Sequence, residues 1–276
     1  QGHWAESNAN LEKAANLSPK DSLALNNLAL NYEMQRAFDH ANAIVDRALK
    51  IRPQSVSLWG IKARVAIEKN ADFAAAEKAI AAMEKLPESA EKTHALLQAR
   101  AGTLLLQRKF GAAVQFLEKI PDQSLGGKQD MLAAKYLLLG QMRRGLQDEA
   151  GAHAAFAEAK KLLEPLFVSR PDEPDLHARF AQVLAFLGEK EKAVSEADIA
   201  VRLLPVSKDA FEGPDILTSA ASVYALTGEK TRALEALETL LKKPSLVTIG
   251  LLKLDPIWDG LRDDPGFQKL LQSSRA

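Results

Sequence analysis

The chain has 276 residues, 47% of them hydrophobic, and carries 36 basic and 36 acidic side chains for a net charge of zero. Such a length supports one or two domains with a sizeable core, and the charge balance gives no pull toward nucleic acid or anionic membrane. The absence of cysteine excludes disulfides, thiolate metal sites and thiol catalysis.

The start, Gln1-Gly2-His3-Trp4, has neither the basic residues nor the apolar stretch of a signal peptide. No apolar run approaches the ~18 residues of a membrane span, so no membrane insertion is expected. Alanine and leucine dominate, which favours helix over strand. Residues 2–18 read as one lone helix, opened by Trp4 and closed by Pro19. Helix pairs follow at 21–51, 55–86, 92–120, 129–164, 175–204 and 214–243. Pro19, Pro53, Pro87 and Pro121 are each 34 residues apart, and Pro165, Pro205 and Pro244 follow at 44, 40 and 39. Proline cannot continue a helix and pushes its predecessor out of helical geometry, so this ladder marks helix ends. Trp4, Phe38, Phe73 and Phe110 stand where second helices begin. Ala41 and Ala48, Ala193 and Ala200, and Ala233 recur where paired helices must approach closely.

The linkers at 120–130, 169–175 and 205–214 are longer, and the two prolines of the middle one suggest a bend between two sub-arrays. A tail at 245–276 supplies Leu251, Leu252, Trp258, Leu261, Phe267 and Leu270. Asp264-Pro265 has the form of an N-cap followed by proline in the first helical turn, so a closing helix is expected from about 265 to 272. Its role is to cover the stripe at Leu237, Leu240 and Leu241 that a last repeat would expose.

The period, the small residues, the aromatic and the closing proline together resemble the tetratricopeptide repeat. Leu25, Leu28-Ala29, Tyr32, Phe38, Ala41 and Ala48 occupy that family's signature slots in the first full unit. Trp59, Leu139-Gly140 and Tyr224 do so in later ones. The resemblance implies an all-α fold, a right-handed α-solenoid of antiparallel helix pairs with a C-terminal capping helix. The array would span 1–244 and the capping tail 245–276. Residues 2–18 match only the second half of a repeat, so the chain is expected to be a fragment of a longer protein.

In this family the first helix of each pair lines a concave groove that receives a peptide or helix. Carried over slot by slot, the groove residues are Asn26, Leu30, Arg64, Gln98, Gln141, Arg144, Gln182, Thr218 and Ser222. Asn26 and Leu30 stand where chaperone-binding members carry Lys and Asn of a two-carboxylate clamp, so that ligand class is not expected. The segment from Leu252 through Asp255-Pro256-Ile257-Trp258 to Phe267 is similar to the ending of arrays attached to bacterial serine/threonine kinases, nucleotide cyclases and winged-helix regulators. It implies a signalling context, in the cytoplasm or, beyond an upstream membrane segment, the periplasm.

Nothing in the sequence carries catalysis. His3, His40, His94, His153 and His177 form no metal-ligand spacing. Gly126-Gly127-Lys128-Gln129 lacks the earlier glycine and the following Ser or Thr of a phosphate loop. Asp172-Glu173 and Asp263-Asp264 read as caps and solvated turns. The expectation is a non-catalytic module with a protein or peptide partner, no cofactor and no nucleic acid.

Overall fold

The computed structural model describes residues 2–18 and 21–272. Among them, all regular structure is helical: α1 (Trp4–Leu17), α2 (Ser22–Met34), α3 (Phe38–Ile51), α4 (Val56–Asn70), α5 (Phe73–Glu84), α6 (Ala90–Leu106), α7 (Phe110–Glu118), α8 (Gln129–Gly145), α9 (Glu149–Leu163), α10 (Leu166–Ser169), α11 (Pro174–Phe186), α12 (Lys190–Leu203), α13 (Gly213–Thr227), α14 (Lys230–Lys242), α15 (Ile249–Leu254) and α16 (Pro265–Gln272). Helices α2 and α3, α4 and α5, α6 and α7, α8 and α9, α11 and α12, and α13 and α14 pack as pairs, and each pair packs on the next. The fold is a tetratricopeptide-like α-solenoid.

Local chemistry sets the helix ends. Asp21, Ser55, Asp72, Ser89 and Asp148 accept hydrogen bonds from backbone N–H groups of the first turns of α2, α4, α5, α6 and α9. Each such cap contributes about 1 kcal/mol. Trp4, Phe38, Phe73 and Phe110 are the first residues of α1, α3, α5 and α7. Pro53, Pro87, Pro121, Pro165, Pro205 and Pro244 each fall two or three residues past a helix end. Pro19 lies outside the described residues.

The turn inside each pair contains one residue in the left-handed region: Arg36, Ala71, Arg108, Gln147, Gly188 and Gly228, with φ between 54° and 91°. Two are glycine, which adopts that conformation freely. The other four are held there against about 1 kcal/mol of steric cost. Between pairs, a buried cation caps the preceding helix. Lys92 Nζ donates to the Glu84 and Leu86 carbonyls at 2.7 Å. Lys135 Nζ donates to the Ile120 carbonyl at 2.7 Å and Asp122 Oδ1 at 2.6 Å. Both satisfy carbonyls left over at a helix C-terminus and oppose its dipole. Buried His177 fills the same slot in α11, bridging the Pro171 carbonyl and Glu196.

The core follows the small-residue slots: Leu25, Leu28, Ala29, Phe38, Ala41 and Ala48 are all buried. At Gly140 a Cβ would stand 2.4 Å from the Phe156 ring, so α8 and α9 meet there only because the residue is glycine. The expected bend at 169–175 does not interrupt the packing. Phe156 and Leu163 of α9 share one buried cluster with Leu176 and Val183 of α11, and α10 fills the linker. Pro174 provides the first turn of α11, a position that needs no N–H.

The tail covers the last repeat as expected. Trp258, Leu261 and Phe267 are buried with Tyr224, Leu237 and Leu240, and Asp264 accepts from the Gly266 and Phe267 N–H groups at the start of α16. The tail also does something the sequence did not suggest. The first repeats meet the last, with Trp4 beside Phe211 and Arg36 bonded to the Leu240 and Val247 carbonyls, and the first helices of the pairs together with residues of the tail enclose a central space, the bore. Leu251 packs with Ile67 of α4 and Leu106 of α6.

Candidate functional site

The bore is lined by the first helices of the pairs and by the tail. One cavity of about 630 Å³ lies between α4, α6 and the tail, walled by Val56, Gly60, Ala63, Ile67, Gly102, Leu105, Leu246 and Leu251 among others. A second, of about 410 Å³, is lined by Arg108, Phe110, Gln141, Arg144, Phe186 and Ile257. Leu105 and Asp255 border both cavities.

Two arginines fasten the tail here, and both are left-handed turn residues. Arg36 Nε donates to the Val247 carbonyl at 3.0 Å, and Nη2 to the Leu240 carbonyl at 2.7 Å, the Lys243 carbonyl at 3.1 Å and Ser245 Oγ at 2.8 Å. Leu240 is in the last turn of α14, so the cation also sits at the favourable end of that dipole. Arg108 gives a two-pronged bond to Asp259 at 2.8 and 2.7 Å.

A charge cluster spans the bore. Arg64 of α4 binds Glu33 of α2 through two bonds of 2.6 Å, and Glu68, one turn on, lies 3.7 Å from Arg64 Nε. Glu33 is fully buried, and Glu68 keeps Oε2 buried with no hydrogen-bond partner. Burial and the Glu33 carboxylate beside it push the Glu68 carboxyl well above the usual range, against the pull of Arg64. Opposite stands Asp215 of α13, pushed up to about 6 by burial among its neighbours, with Arg64 opposing and Asp175, Glu33 and Glu212 adding to the rise. Asp255 of the tail is also pushed up to about 6 by burial, although its bond from the Ile257 N–H works the other way. Burial and the nearby Arg179 lower His94, which lines the larger cavity and so favours its neutral form.

The groove slots divide into two groups. Leu30, Arg64 and Gln98 line the larger cavity, and Gln141 and Arg144 the smaller. Gln98 is exposed to the bore, and Arg144 lies 5.6 Å from the centre of the Phe186 ring. The others are committed within the chain. Asn26 accepts from Ser57 at 2.9 Å. Gln182 donates to Ser222 at 3.0 Å, and buried Ser222 donates to the Ser219 carbonyl. Thr218 turns back to the Pro214 carbonyl at 2.8 Å. The slot reasoning missed Glu33, Glu68, Asp215 and Asp255. One signal was present: Glu33 and Glu68 interrupt apolar runs 35 residues apart, near the repeat length.

Among the described residues no cluster of three His, Asp or Glu side chains is placed to hold a metal ion, and no helix is long and apolar enough to cross a membrane.

No family model and no curated protein sequence matches the chain. Solved structures do resemble it in fold. Human IFIT1, a dimer with m7Gppp-AAAA, is 14% identical at a TM-score of 0.55, over 97% of this chain and 63% of that one. Pseudomonas aeruginosa pilF is 16% identical at 0.47, over 92% and 98%. The C-terminal part of a TPR repeat-containing protein from Cytophaga hutchinsonii is 16% identical at 0.44, over 94% and 95%.

Proposed function

We propose that this solenoid is a non-catalytic protein-binding module that holds a short segment of a partner in its bore, with its own tail as one wall of the site. The observation that carries the reading is the way the larger cavity is kept open. Gly102 lies in the interior of α6, where a Cβ would meet nothing within 4 Å. Glycine there costs about 1 kcal/mol of helix stability relative to alanine. No close packing calls for it, unlike Gly140. What it leaves is space, beside Gly60, Ala63 and Ala99 of the same wall. Apolar walls with a few fixed polar groups are the usual form of a binding pocket.

The lining argues against the ligand that human IFIT1 holds. A nucleic acid needs unpaired cations to replace its counterions. Here Arg64 is spent on Glu33 and Arg108 on Asp259, and Arg144, which lies over the Phe186 ring, stands against the acids Glu68, Asp215 and Asp255. The second reading concerns the parent. The likeness of residues 252–267 to the endings of bacterial signalling arrays supports a regulatory arm of a kinase, cyclase or transcription regulator, with the same bore as its sensor.

The test is selection of peptides from a random display library, followed by methyl NMR of the protein with each peptide. Shifts at Leu30, Ile67 and Leu106 support the bore. Shifts confined to the outer helices α3, α5 and α7 count against it.

A further inference from the structure

His177 is a buried histidine with an acceptor on each side of its ring. Nδ1 lies 2.5 Å from Glu196 Oε2 of α12, and Nε2 lies 2.8 Å from the Pro171 carbonyl in the linker before α11. A carbonyl has no proton to give, and neither has a carboxylate, so bonds to both partners require both ring nitrogens to donate. The imidazolium does that. The neutral ring serves one partner and turns a lone pair on the other. The side chain is 8% exposed, and Phe167 of α10 packs edge-on against the ring at 5.0 Å between centroids, so water is poorly placed to replace a lost bond. The other charges nearby are engaged elsewhere or solvated. Arg170 pairs with Glu173 and Asp130, and Arg179 donates to the Asp130 carbonyl. Lys160 of α9 pairs with Glu189, Asp198 of α12 accepts from the Tyr224 hydroxyl, and Asp215 of α13 acts on Arg64. Asp172, Asp175 and Arg202 are exposed.

Two lysines show what the position is for. Lys92 Nζ joins the Glu84 and Leu86 carbonyls to Glu88, and Lys135 Nζ joins the Ile120 carbonyl to Asp122. Each pairs a leftover carbonyl ahead of its own helix with a carboxylate, as His177 does. Two differences matter. A lysine stays charged to about pH 10, whereas histidine changes charge between about pH 5 and 8. Glu88 and Asp122 lie in the linkers themselves, whereas Glu196 lies on α12, so His177 ties its linker to the second helix of the next pair. We propose that His177 is a proton-operated joint between the fourth and fifth helix pairs. Protonated, it holds the linker at Pro171 to Glu196 of α12; without the proton it releases one of them. The tie is complete at low pH and is lost as the proton leaves with rising pH, while the lysine junctions stay fixed.

The test is NMR and hydrogen exchange on the full chain. With 15N-labelled histidine, the His177 ring should show both nitrogens protonated at pH 5.5 and one at pH 8.5. Protection of the Arg170 and His177 amides, which bond to the Leu166 and Glu173 carbonyls, should fall at least fivefold over that range after correction for intrinsic exchange. The Leu86 and Ile120 amides, which bond to the Met83 and Leu117 carbonyls at the lysine junctions, should change less than twofold. His177→Gln, which does not titrate, should show the weaker protection at every pH. His177→Lys should show the stronger protection at every pH. Should either variant not fold, the other and the wild-type ring carry the test. An unchanged number of ring protons over the range, equal protection at both pH values, or an unaltered pH dependence in His177→Gln would overturn the proposal.

Discussion

Replacing Arg36 with glycine separates the tail clamp from the backbone it is built on. The guanidinium has one Nε hydrogen and two on Nη2 to serve the Val247, Leu240 and Lys243 carbonyls and Ser245 Oγ, so about three good bonds are available. At about 1 kcal/mol net for each, in a partly exposed setting, the clamp stabilises the docked tail by about 3 kcal/mol. Arg36 is in the left-handed region at φ 57°. Glycine relieves that conformation by about 1 kcal/mol, whereas alanine does not. The expected net losses are thus about 3 kcal/mol for Arg36→Ala and about 2 kcal/mol for Arg36→Gly. Native-state hydrogen exchange reads this directly at the amides of Leu252 and Trp258, which bond to the Thr248 and Asp255 carbonyls within the tail. Losses of that size correspond to exchange faster by about 150-fold and about 30-fold. Tail amides in both variants exchanging within twofold of the native rate would refute the reasoning, and equal effects of Ala and Gly would refute the backbone part of it.

Trp258→Ala should lower stability by about 3–5 kcal/mol, because the ring is buried against the last repeat; an unchanged Tm would contradict its role as a cap. Gly140→Ala should destabilise by about 1–3 kcal/mol in urea titration, since the new methyl meets the Phe156 ring at 2.4 Å. The carboxyls of Asp215 and Asp255, raised to about 6, predict a definite sign. In the unfolded chain an aspartate titrates near 3.9, so the folded state holds extra protons between roughly pH 4 and 6. Their contribution is therefore most favourable below that window and is lost as pH rises through 6. The wild type should gain Tm relative to the double Asn variant as pH falls from 7.5 to 5, and a constant difference over that range would rule this out.

The solenoid was legible in the sequence because its markers are local. A proline stops a helix whatever surrounds it, and an aromatic at the first helical position repeats with the period. The cap was legible for the same reason: Asp264-Pro265 starts a helix on its own, and Trp258 and Phe267 need cover. The two prolines of the middle linker end and start helices locally, while the packing of Leu163 and Leu176 across it is a tertiary matter that they do not report. The bore was half legible. Slots predict which side chains face inward, and Leu30, Arg64, Gln98, Gln141 and Arg144 do line cavities. Slots do not predict which of them find partners, and Gln182 and Ser222 satisfy each other across adjacent pairs. The tail in the bore depends on curvature summed over six pairs, and no local pattern encodes that sum. Arg36 and Arg108, in turns where glycine would be easier, were the trace of it.

The most direct test of the binding account is Gly102→Phe. The added ring enters the larger cavity, where a Cβ at this position meets nothing within 4 Å, and a helix-interior glycine is removed. The account predicts an equal or higher Tm together with loss of at least tenfold in affinity for the display-selected peptides. Undiminished affinity in a protein of unchanged Tm would contradict it.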